Sequence, residues 1–377
     1  MHFIQWGTYF ARPDVADFTK IRPYLDEVAR NRAHLPATFG TWLASGVTTV
    51  VDMGGPLWTF DVRDESRRLG AAAPDVLVAG PLISTEARPA LDVTGDPPIL
   101  KVTTEDEAER AALRGLERNP DVRKFLFIYH RGDDLAAQER LVRRVAQVAH
   151  SHGVRLAVHA MELDVAKAAL RAGADILVHS IEDAEIDDEL VALARANHAT
   201  YTPTLFVMLG YALALSNRWH PTPEEERFAD PQLLADLGPL DRLPQAALPS
   251  VVTQMTAHPP PAEPSAIGAH NLLRMWREGF LVTVGTDAGN IGTLHGPSYF
   301  RETALMAAAG LSPKDVLRAA TVNGATLIKR EKELGDVRAG MVADLVVLRA
   351  DPLADVKNLA AIDAVVKDGE VVGQIRR

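Results

Sequence analysis

Short apolar runs alternate with stretches of helical periodicity along most of this chain. This alternation is typical of βα units, in which helices cover a buried parallel sheet. Because the runs are continuously apolar, we expect strands that are buried on both faces. The seven clearest runs lie at residues 47–51, 76–83, 125–129, 156–158, 176–178, 201–207 and 281–284. With a short stub at residues 2–5 they make eight strands, which predicts an α/β fold, a (β/α)8 TIM barrel rather than a doubly wound sheet.

Helix start signals fall between these runs. Thr104 followed by Glu107 forms a capping-box pattern, and Ser312 before Pro313 places an N-cap residue ahead of a proline at the first helical position. An acidic cluster begins another helical stretch, at Asp187. Helices are therefore predicted at residues 105–119, 133–151, 187–197 and 313–323.

Two regions interrupt the alternation and divide the chain. Residues 212–268 form a long, proline-studded insertion after the seventh run, which we interpret as a partly helical lid with helical turns at 224–235 and 251–257. Residues 334–377 carry Gly-Asp, Ala-Gly and Asp-Gly turn signals between short apolar runs at 345–348 and 364–366. We therefore predict a barrel domain at 1–333 and part of a small β-sandwich domain at 334–377.

Composition excludes several classes of protein. The formal net charge of −10 disfavours nucleic acid as a partner, and no apolar run is long enough to span a membrane. The absence of cysteine rules out disulfides and thiol nucleophiles. The first residues do not resemble a signal peptide, so the cytoplasm is the default expectation, although an upstream segment could carry such a signal. The expected partner is a small-molecule substrate, and a homo-oligomer stays open.

Titratable residues follow the apolar runs at the ends of several predicted strands. His159, His179 and Asp287 close three runs, and His2 begins the stub. Lys124 lies near the start of a fourth run, with His130 at its end. Active sites of TIM barrels lie at the carboxyl ends of the strands, so these side chains should converge. Buried together without a partner they would carry a large desolvation cost, which a divalent metal would offset. Imidazole and carboxylate ligands suit zinc, manganese, nickel or iron.

The motifs resemble those of the amidohydrolase superfamily of metal-dependent hydrolases over essentially the whole chain. The resemblance runs from VHA at 158–160 and GTDAG at 285–289 to the end of the chain. The most specific part is LMAAAGLSPKDVLRAATVNGATLI, followed by LGDVRAGMVADLVVLRADPLADV and VVKDGEVV, which is similar to imidazolonepropionase-like and prolidase-like members. The segment that begins HSIEDAEIDDEL also matches that branch.

The resemblance implies a role for each of these residues. It implies that His2, His159, His179 and Asp287 bind metal, and that Lys124 carries a CO2-derived carbamate that bridges two ions. Zinc, as one or two ions, is the expected metal. A lysine desolvated in a barrel mouth has a lowered pKa and a nucleophilic neutral amine, which fits this chemistry. His130 shares one strand face with Lys124, so it is the substitute ligand if Lys124 fails and otherwise a substrate contact.

The family motif on the first strand is His-x-His, and only its second histidine, His2, is present. We interpret Met1 as an internal methionine of a longer chain in which a histidine codon stands immediately upstream. Early β-strands that would complete the small domain are missing as well. A metal-free structural or interaction protein therefore stays open for the chain as it stands.

The resemblance also implies the reaction. A hydroxide that bridges the metals would attack an amide-type C–N bond, with Asp287 as the proton shuttle. The substrate would be a dipeptide, an N-acyl amino acid or a cyclic amide, contacted by His130, Tyr201 and His295. Lactonase or phosphotriesterase chemistry on the same metal site is the alternative activity.

Overall fold

The computed structural model describes residues 1–374. Twelve strands are present within them: β1 Thr49–Asp52, β2 Asp75–Val78, β3 Leu82–Ser84, β4 Ile99–Lys101, β5 Arg123–Leu126, β6 Leu156–His159, β7 Ile176–Val178, β8 Thr200–Thr202, β9 Leu281–Val282, β10 Leu345–Leu348, β11 Ile362–Lys367 and β12 Glu370–Gln374. A helix separates β1 from β2, and at least one helix separates each pair of consecutive strands from β4 to β9, whereas no α-helix lies between β2, β3 and β4.

The same residues form fifteen α-helices: α1 Tyr24–Ala33, α2 Leu35–Ala44, α3 Thr59–Leu69, α4 Glu105–Leu116, α5 Leu135–Ser151, α6 Leu163–Arg171, α7 Asp188–Ala196, α8 Val207–Leu215, α9 Pro223–Phe228, α10 Pro231–Asp236, α11 Ser250–Ala257, α12 Ala266–Arg277, α13 Ser298–Ala308, α14 Pro313–Ala320 and α15 Val322–Leu327. Short 3-10 turns lie at Gly70–Ala72, Pro89–Leu91, Leu240–Arg242, Gln245–Ala247 and Val356–Ala360.

The strands form a parallel barrel wall and a separate small sheet. Seven strands pair in the order β4-β3-β5-β6-β7-β8-β9, and β1 pairs with β2. All of these pairs are parallel. Strands β10, β11 and β12 form an antiparallel sheet. The predicted TIM barrel is confirmed, and the predicted C-terminal strands belong to this three-stranded sheet.

The stub at residues 2–5 is not a strand, which corrects the prediction. Its backbone instead makes one hydrogen bond to each side of the gap in the barrel wall. The Met53 amide donates to the Met1 carbonyl at 2.9 Å, and the His2 amide donates to the Ala288 carbonyl at 2.8 Å. The chain then turns, with a contact of 3.5 Å from the Gln5 amide to the His2 carbonyl. His2 is thereby held between the end of β1 and the loop after β9.

Two predicted strands are shorter than their apolar runs. The run at 76–83 divides into β2 and β3 because Gly80 has a φ of +69° and Pro81 follows it. The run at 201–207 ends at β8, since Thr204 adopts a φ of +50° and α8 begins at Val207. Apolar composition does not distinguish these turns from continued strand.

The predicted helix starts are found where the capping patterns place them. The Glu107 amide donates to Thr104 Oγ1 at 3.2 Å, and the Asp315 amide donates to Ser312 Oγ at 3.2 Å. The helix predicted at 313–323 is broken at Thr321, so that α14 and α15 are separate.

No helix of the described residues is both long enough and apolar enough to cross a bilayer.

The insertion packs against the N-terminal segment over one end of the barrel. One buried apolar cluster joins the two, and it includes Trp6 and Phe10 from the N-terminal segment and Trp219 and Leu233 from the insertion. An ion-pair group reinforces this contact, because Asp236 accepts hydrogen bonds from Arg22 at 2.9 and 3.0 Å and from Arg30 at 2.8 Å.

Replacing Asp236 with Asn should loosen the insertion locally. Charge-assisted hydrogen bonds contribute about 1.5–3 kcal/mol each, so amide hydrogen exchange in α9–α11 should accelerate about 10-fold or more. Exchange in β5–β8 should not change. Mass-spectrometric hydrogen exchange tests this, with Glu226→Gln, an exposed site in the same insertion, as the control. Unchanged exchange in α9–α11 would show that the ion pairs do not hold the insertion.

Candidate active site

Lys124 and His159 lie on the inner face of the barrel. In the β5–β6 register Lys124 is opposite Ala157, and His159 lies one inner-face step further along β6. Ala157 belongs to the interior cluster that also contains Ile176 and Val178. Strand alternation therefore directs Lys124 and His159 to the same side.

Lys124 is a buried amine without a counter-ion in contact. The residue is 2% exposed, and we find neither a hydrogen bond nor an ion pair of Nζ with any residue of 1–374. Burial lowers the pKa of Lys124 to about 8, although the charge of Asp287 partly opposes this shift. An appreciable fraction of the amine is therefore neutral and nucleophilic near neutral pH.

Two imidazoles meet beside it. The ring centroids of His159 and His179 are 4.4 Å apart. Burial lowers the pKa of His179 to about 3, and burial together with the neighbouring His179 and Lys124 holds the pKa of His159 well below its usual value. Both rings are therefore neutral at physiological pH, which is the form that binds a metal.

Thr204 fixes the orientation of His179. The Nδ1 atom of His179 is 2.8 Å from Thr204 Oγ1, which leaves Nε2 as the available ligand atom. Both residues have positive φ, +81° for His179 and +50° for Thr204. Such conformations are costly for residues other than glycine and persist where the surroundings enforce them.

Glu302 on α13 is one of those surroundings. Its carboxyl group accepts hydrogen bonds from the amides of Leu205 at 2.7 Å and Phe206 at 3.0 Å, and so holds the loop that carries Thr204. Complete burial raises the pKa of Glu302 to about 8, although these hydrogen bonds oppose the shift.

This pKa predicts a pH dependence of stability. A carboxyl group with a folded-state pKa raised from 4.5 to about 8 contributes stability that is fully present below pH 4.5 and is lost as the pH rises through 8. Glu302→Gln should remove that loss. The variant should match the wild type at pH 5 and exceed its unfolding free energy by about 2–4 kcal/mol at pH 9. Urea denaturation at both pH values tests this, and an equal difference at both would contradict it.

His2 faces Asp287 across the barrel mouth. The Nε2 atom of His2 is 3.1 Å from Asp287 Oδ1. The Nδ1 atom of His2 is 2.6 Å from the Gly54 carbonyl, to which it donates its proton. The second ring nitrogen, Nε2, therefore faces the Asp287 carboxylate.

Asp52 supports the position of His2. It is fully buried, and its carboxylate accepts hydrogen bonds from the Phe3 amide at 3.1 Å and the Gly54 amide at 2.9 Å. It therefore ties together the residue after His2 and the carbonyl that receives the His2 proton.

Asp287 is held in an ionised form. Burial raises its pKa, but the positive charge of His2 and the hydrogen bond to it, together with His179, hold the pKa of Asp287 well below its usual range. Asn290 donates to Asp287 Oδ2 at 2.8 Å. One oxygen of Asp287 is thus engaged by Asn290 and the other faces His2.

The donor set fits a divalent metal. Two ligands bound to one tetrahedral zinc ion at about 2.0–2.2 Å are roughly 3.3 Å apart, close to the 3.1 Å between His2 Nε2 and Asp287 Oδ1. Two neutral imidazoles and an unpaired buried amine complete the set. Within residues 1–374, however, no three His, Cys, Asp or Glu side chains are arranged closely enough to bind one ion together. The ligands would have to move together on binding.

Tyr201 does not lie in this cluster, and its position speaks against its predicted contact with substrate. Its neighbours in β8, Thr200 and Thr202, face the interior, where Thr202 Oγ1 is 2.7 Å from Thr283 Oγ1. Tyr201 therefore faces outward into the layer between barrel and helices and is 1% exposed.

His295 is a packing residue in this structure, and this position speaks against its predicted contact with substrate. Its Nε2 atom donates to the His2 carbonyl at 3.0 Å, and its ring stacks on Phe3 with centroids 5.8 Å apart. Burial lowers the pKa of His295 to about 3, so the ring stays neutral. It supports the backbone of His2.

His130 lies at the rim, where its side chain is 68% exposed and its Nε2 atom pairs with Glu86. This exposed position suits a contact with substrate and speaks against His130 as the substitute for the buried Lys124. A cavity of about 330 Å³ between the N-termini of α4 and α5 is lined by none of the predicted site residues.

No sequence pattern indicated Arg12, Tyr211 and Asn290. Arg12 Nη1 donates to Asn290 Oδ1 at 2.6 Å and to Tyr211 Oη at 3.1 Å. Asn290 follows the GTDAG motif closely and could have been noticed there. The other two reach the site only through the tertiary fold.

Comparison with known proteins agrees with this fold. The sequence profile of the Amidohydrolase family matches residues 31–372, a range that begins after His2. No curated protein matches the sequence significantly.

Solved structures resemble this chain over nearly its full length. A Xaa-Pro dipeptidase with bound methionine in its active site has a TM-score of 0.69 at 21% identity, covering 98% of this chain and 84% of that one. A Bifidobacterium longum protein described as a prolidase has a TM-score of 0.66 at 25% identity, covering 93% and 78%. The ochratoxinase of A. niger has a TM-score of 0.71 at 18% identity, covering 100% and 81%.

Proposed function

Because this chain belongs to the amidohydrolase family, a family of hydrolases that act on carbon–nitrogen bonds, we propose that it hydrolyses an amide bond in a small substrate at the cluster of His2, Lys124, His159, His179 and Asp287. The observation that carries the proposal is Lys124, an unpaired amine buried beside two neutral imidazoles and within the field of Asp287.

The family typically uses divalent metal ions. In this chain His2, His159, His179 and Asp287 would hold them, together with Lys124 as its carbamate, and zinc is the metal we propose. When bound, such ions lower the pKa of a water molecule and polarise the scissile carbonyl.

The chain's own residues supply the other parts of the reaction. The neutral fraction of the Lys124 amine reacts with CO2 to form the carbamate. Asp287, ionised at neutral pH, accepts a proton from the attacking water at Oδ1 and returns it to the leaving amine. Asn290 and His2 keep that carboxylate in place.

The substrate class we propose is a dipeptide or an N-acyl amino acid, with a cyclic amide as the further member of the class. Two of the similar structures are described as a Xaa-Pro dipeptidase and a prolidase, which supports the dipeptide. His130 at the rim is the proposed contact for the distal part of the substrate.

A substrate panel tests this proposal. Zinc-loaded protein prepared with bicarbonate would be assayed with Xaa-Pro dipeptides, N-acyl amino acids, cyclic amides, lactones and a phosphotriester. We expect kcat/KM to be highest for an amide, at about 10⁴ M⁻¹s⁻¹ or more. A lactone or phosphotriester preferred over every amide would contradict the proposal.

A further inference from the structure

Every polar atom of the Asn290 side chain is engaged. Its Nδ2 donates to Asp287 twice, to the carbonyl at 2.9 Å and to Oδ2 at 2.8 Å. Its Oδ1 accepts from Arg12 Nη1 at 2.6 Å and from Tyr211 Oη at 2.6 Å. Asn290 is 2% exposed, so water does not compete for these bonds.

The two distant residues dictate which way the amide of Asn290 points. A guanidinium can only donate, so the oxygen of Asn290 must face Arg12. Arg12 Nη1 also donates to Tyr211 Oη at 3.1 Å, so the Tyr211 proton is left for Asn290 Oδ1. With two donors on Oδ1, the amide nitrogen has to face Asp287.

Arg12 is itself fixed. Its Nε and Nη2 atoms donate to the two oxygens of Asp14, both at 2.8 Å. Such a bidentate pair restricts the guanidinium to one orientation. Rotation at Arg12 is therefore not available to relieve a misplaced Asn290.

We propose that Arg12, Tyr211 and Asn290 are positioning residues that hold the Asp287 carboxylate with Oδ2 engaged and Oδ1 directed to His2 and the metal ligands. The inference rests on the proposed function, since it assigns Asp287 to the reacting site. These residues come from the N-terminal segment, from α8 and from the loop after β9. We call their hydrogen bonds the Arg12–Tyr211–Asn290 relay. The relay is complete only while the N-terminal segment and α8 pack against the loop after β9, so the packing of these two segments is coupled to the position of Asp287.

Asp287 benefits from this restraint because its backbone is strained. Its φ is +54°, and the Asn290 bond to its carbonyl stabilises that conformation. Removal of a residue that hydrogen-bonds to a metal ligand typically lowers metal affinity or activity about 10- to 100-fold.

The test measures zinc affinity in the metal-free full chain by competition with a chelating dye. Asn290→Ala should raise the Kd for Zn²⁺ about 10- to 100-fold. Tyr211→Phe removes one of two donors and should raise it about 2- to 10-fold. Tyr24→Phe is the matched control, because Tyr24 is buried and its hydroxyl has no hydrogen-bond partner among residues 1–374.

Two further readouts separate positioning from a merely structural role. The visible spectrum of the Co²⁺-loaded protein should change in Asn290→Ala and Tyr211→Phe, because it reports the arrangement of ligands, and not in Tyr24→Phe. Metal-free Tyr211→Phe should stay folded and melt only a few degrees below Tyr24→Phe, because it loses two buried hydrogen bonds that contribute about 1 kcal/mol each.

The outcomes distinguish this inference from the proposed function. If the wild type binds no zinc, the proposed function fails. If the wild type binds zinc and both Asn290→Ala and Tyr211→Phe match it in Kd and cobalt spectrum, the relay is wrong and the proposed function stands. An effect of Asn290→Ala with none of Tyr211→Phe would overturn the part assigned to Tyr211.

Discussion

Asp287→Asn is expected to reduce kcat for the amide substrate by about 10³-fold or more while the protein stays folded. The substitution preserves shape but removes the base that accepts the proton of the attacking water, and general-base catalysis contributes about 10²- to 10⁴-fold. The neutral amide of the variant would also be a poorer metal ligand than the carboxylate. Steady-state kinetics at saturating zinc, with the melting temperature as a check on folding, measures the effect.

The matched control is Asp241→Asn, at an exposed aspartate in the insertion. It should retain wild-type kcat and KM. If Asp287→Asn kept more than about a tenth of the activity, Asp287 would not be the proton acceptor of the reaction.

Lys124→Met is expected to lose activity and gain stability. Without an amine no carbamate forms, so bound zinc should fall from two ions to one or none, and bicarbonate should no longer affect activity. Metal content by plasma mass spectrometry and rates with and without bicarbonate measure this. Lys332→Met, at an exposed lysine, is the control and should behave as the wild type.

The gain in stability follows from the lowered pKa. The pKa of Lys124 falls from 10.5 in the unfolded chain to about 8 in the folded one. Between these two pH values the unfolded state therefore binds more protons than the folded state. Metal-free wild type should gain stability as the pH rises from 8 to 10.5, and Lys124→Met should lack this dependence. At pH 7 the variant should be more stable by about 3 kcal/mol. A variant less stable than the wild type at pH 7 would show that burial of the Lys124 amine does not destabilise the folded protein.

The convergence of the site was predictable from local sequence. His159 and His179 each follow a continuous apolar run, and parallel strands in a barrel bring their carboxyl ends to one face. Lys124 lies near the start of its strand, and its role was predicted from the family resemblance. The period of two in a strand placed Lys124 and His130 on one face, but it did not say which face points into the barrel.

The positions of Tyr201 and His295 depended on where the strands end and on contacts made after them. The run that begins at Tyr201 continues as far as Val207, but the backbone turns at Thr204, and Tyr201 faces outward. His295 was predicted by its position after the last strand, yet it donates to the His2 backbone. Apolar runs do not encode such turns and bonds.

Contacts between segments that are distant in sequence could not be predicted from the sequence pattern. Arg12 is 278 positions from Asn290, and Tyr211 is 79 positions from it. No periodicity relates a residue of an irregular N-terminal segment to a helix that follows β8. Only packing of α8 and the insertion against that segment brings them together.

The metal content of the purified wild-type chain is the most direct test of the proposed metal-dependent hydrolase site. The protein would be prepared with bicarbonate and without chelator, and its metals counted by plasma mass spectrometry. We predict close to two equivalents of a divalent ion, zinc, per chain. A chain that contains no metal and takes up none from added Zn²⁺ would contradict the proposed function and leave a metal-free structural role for the fold.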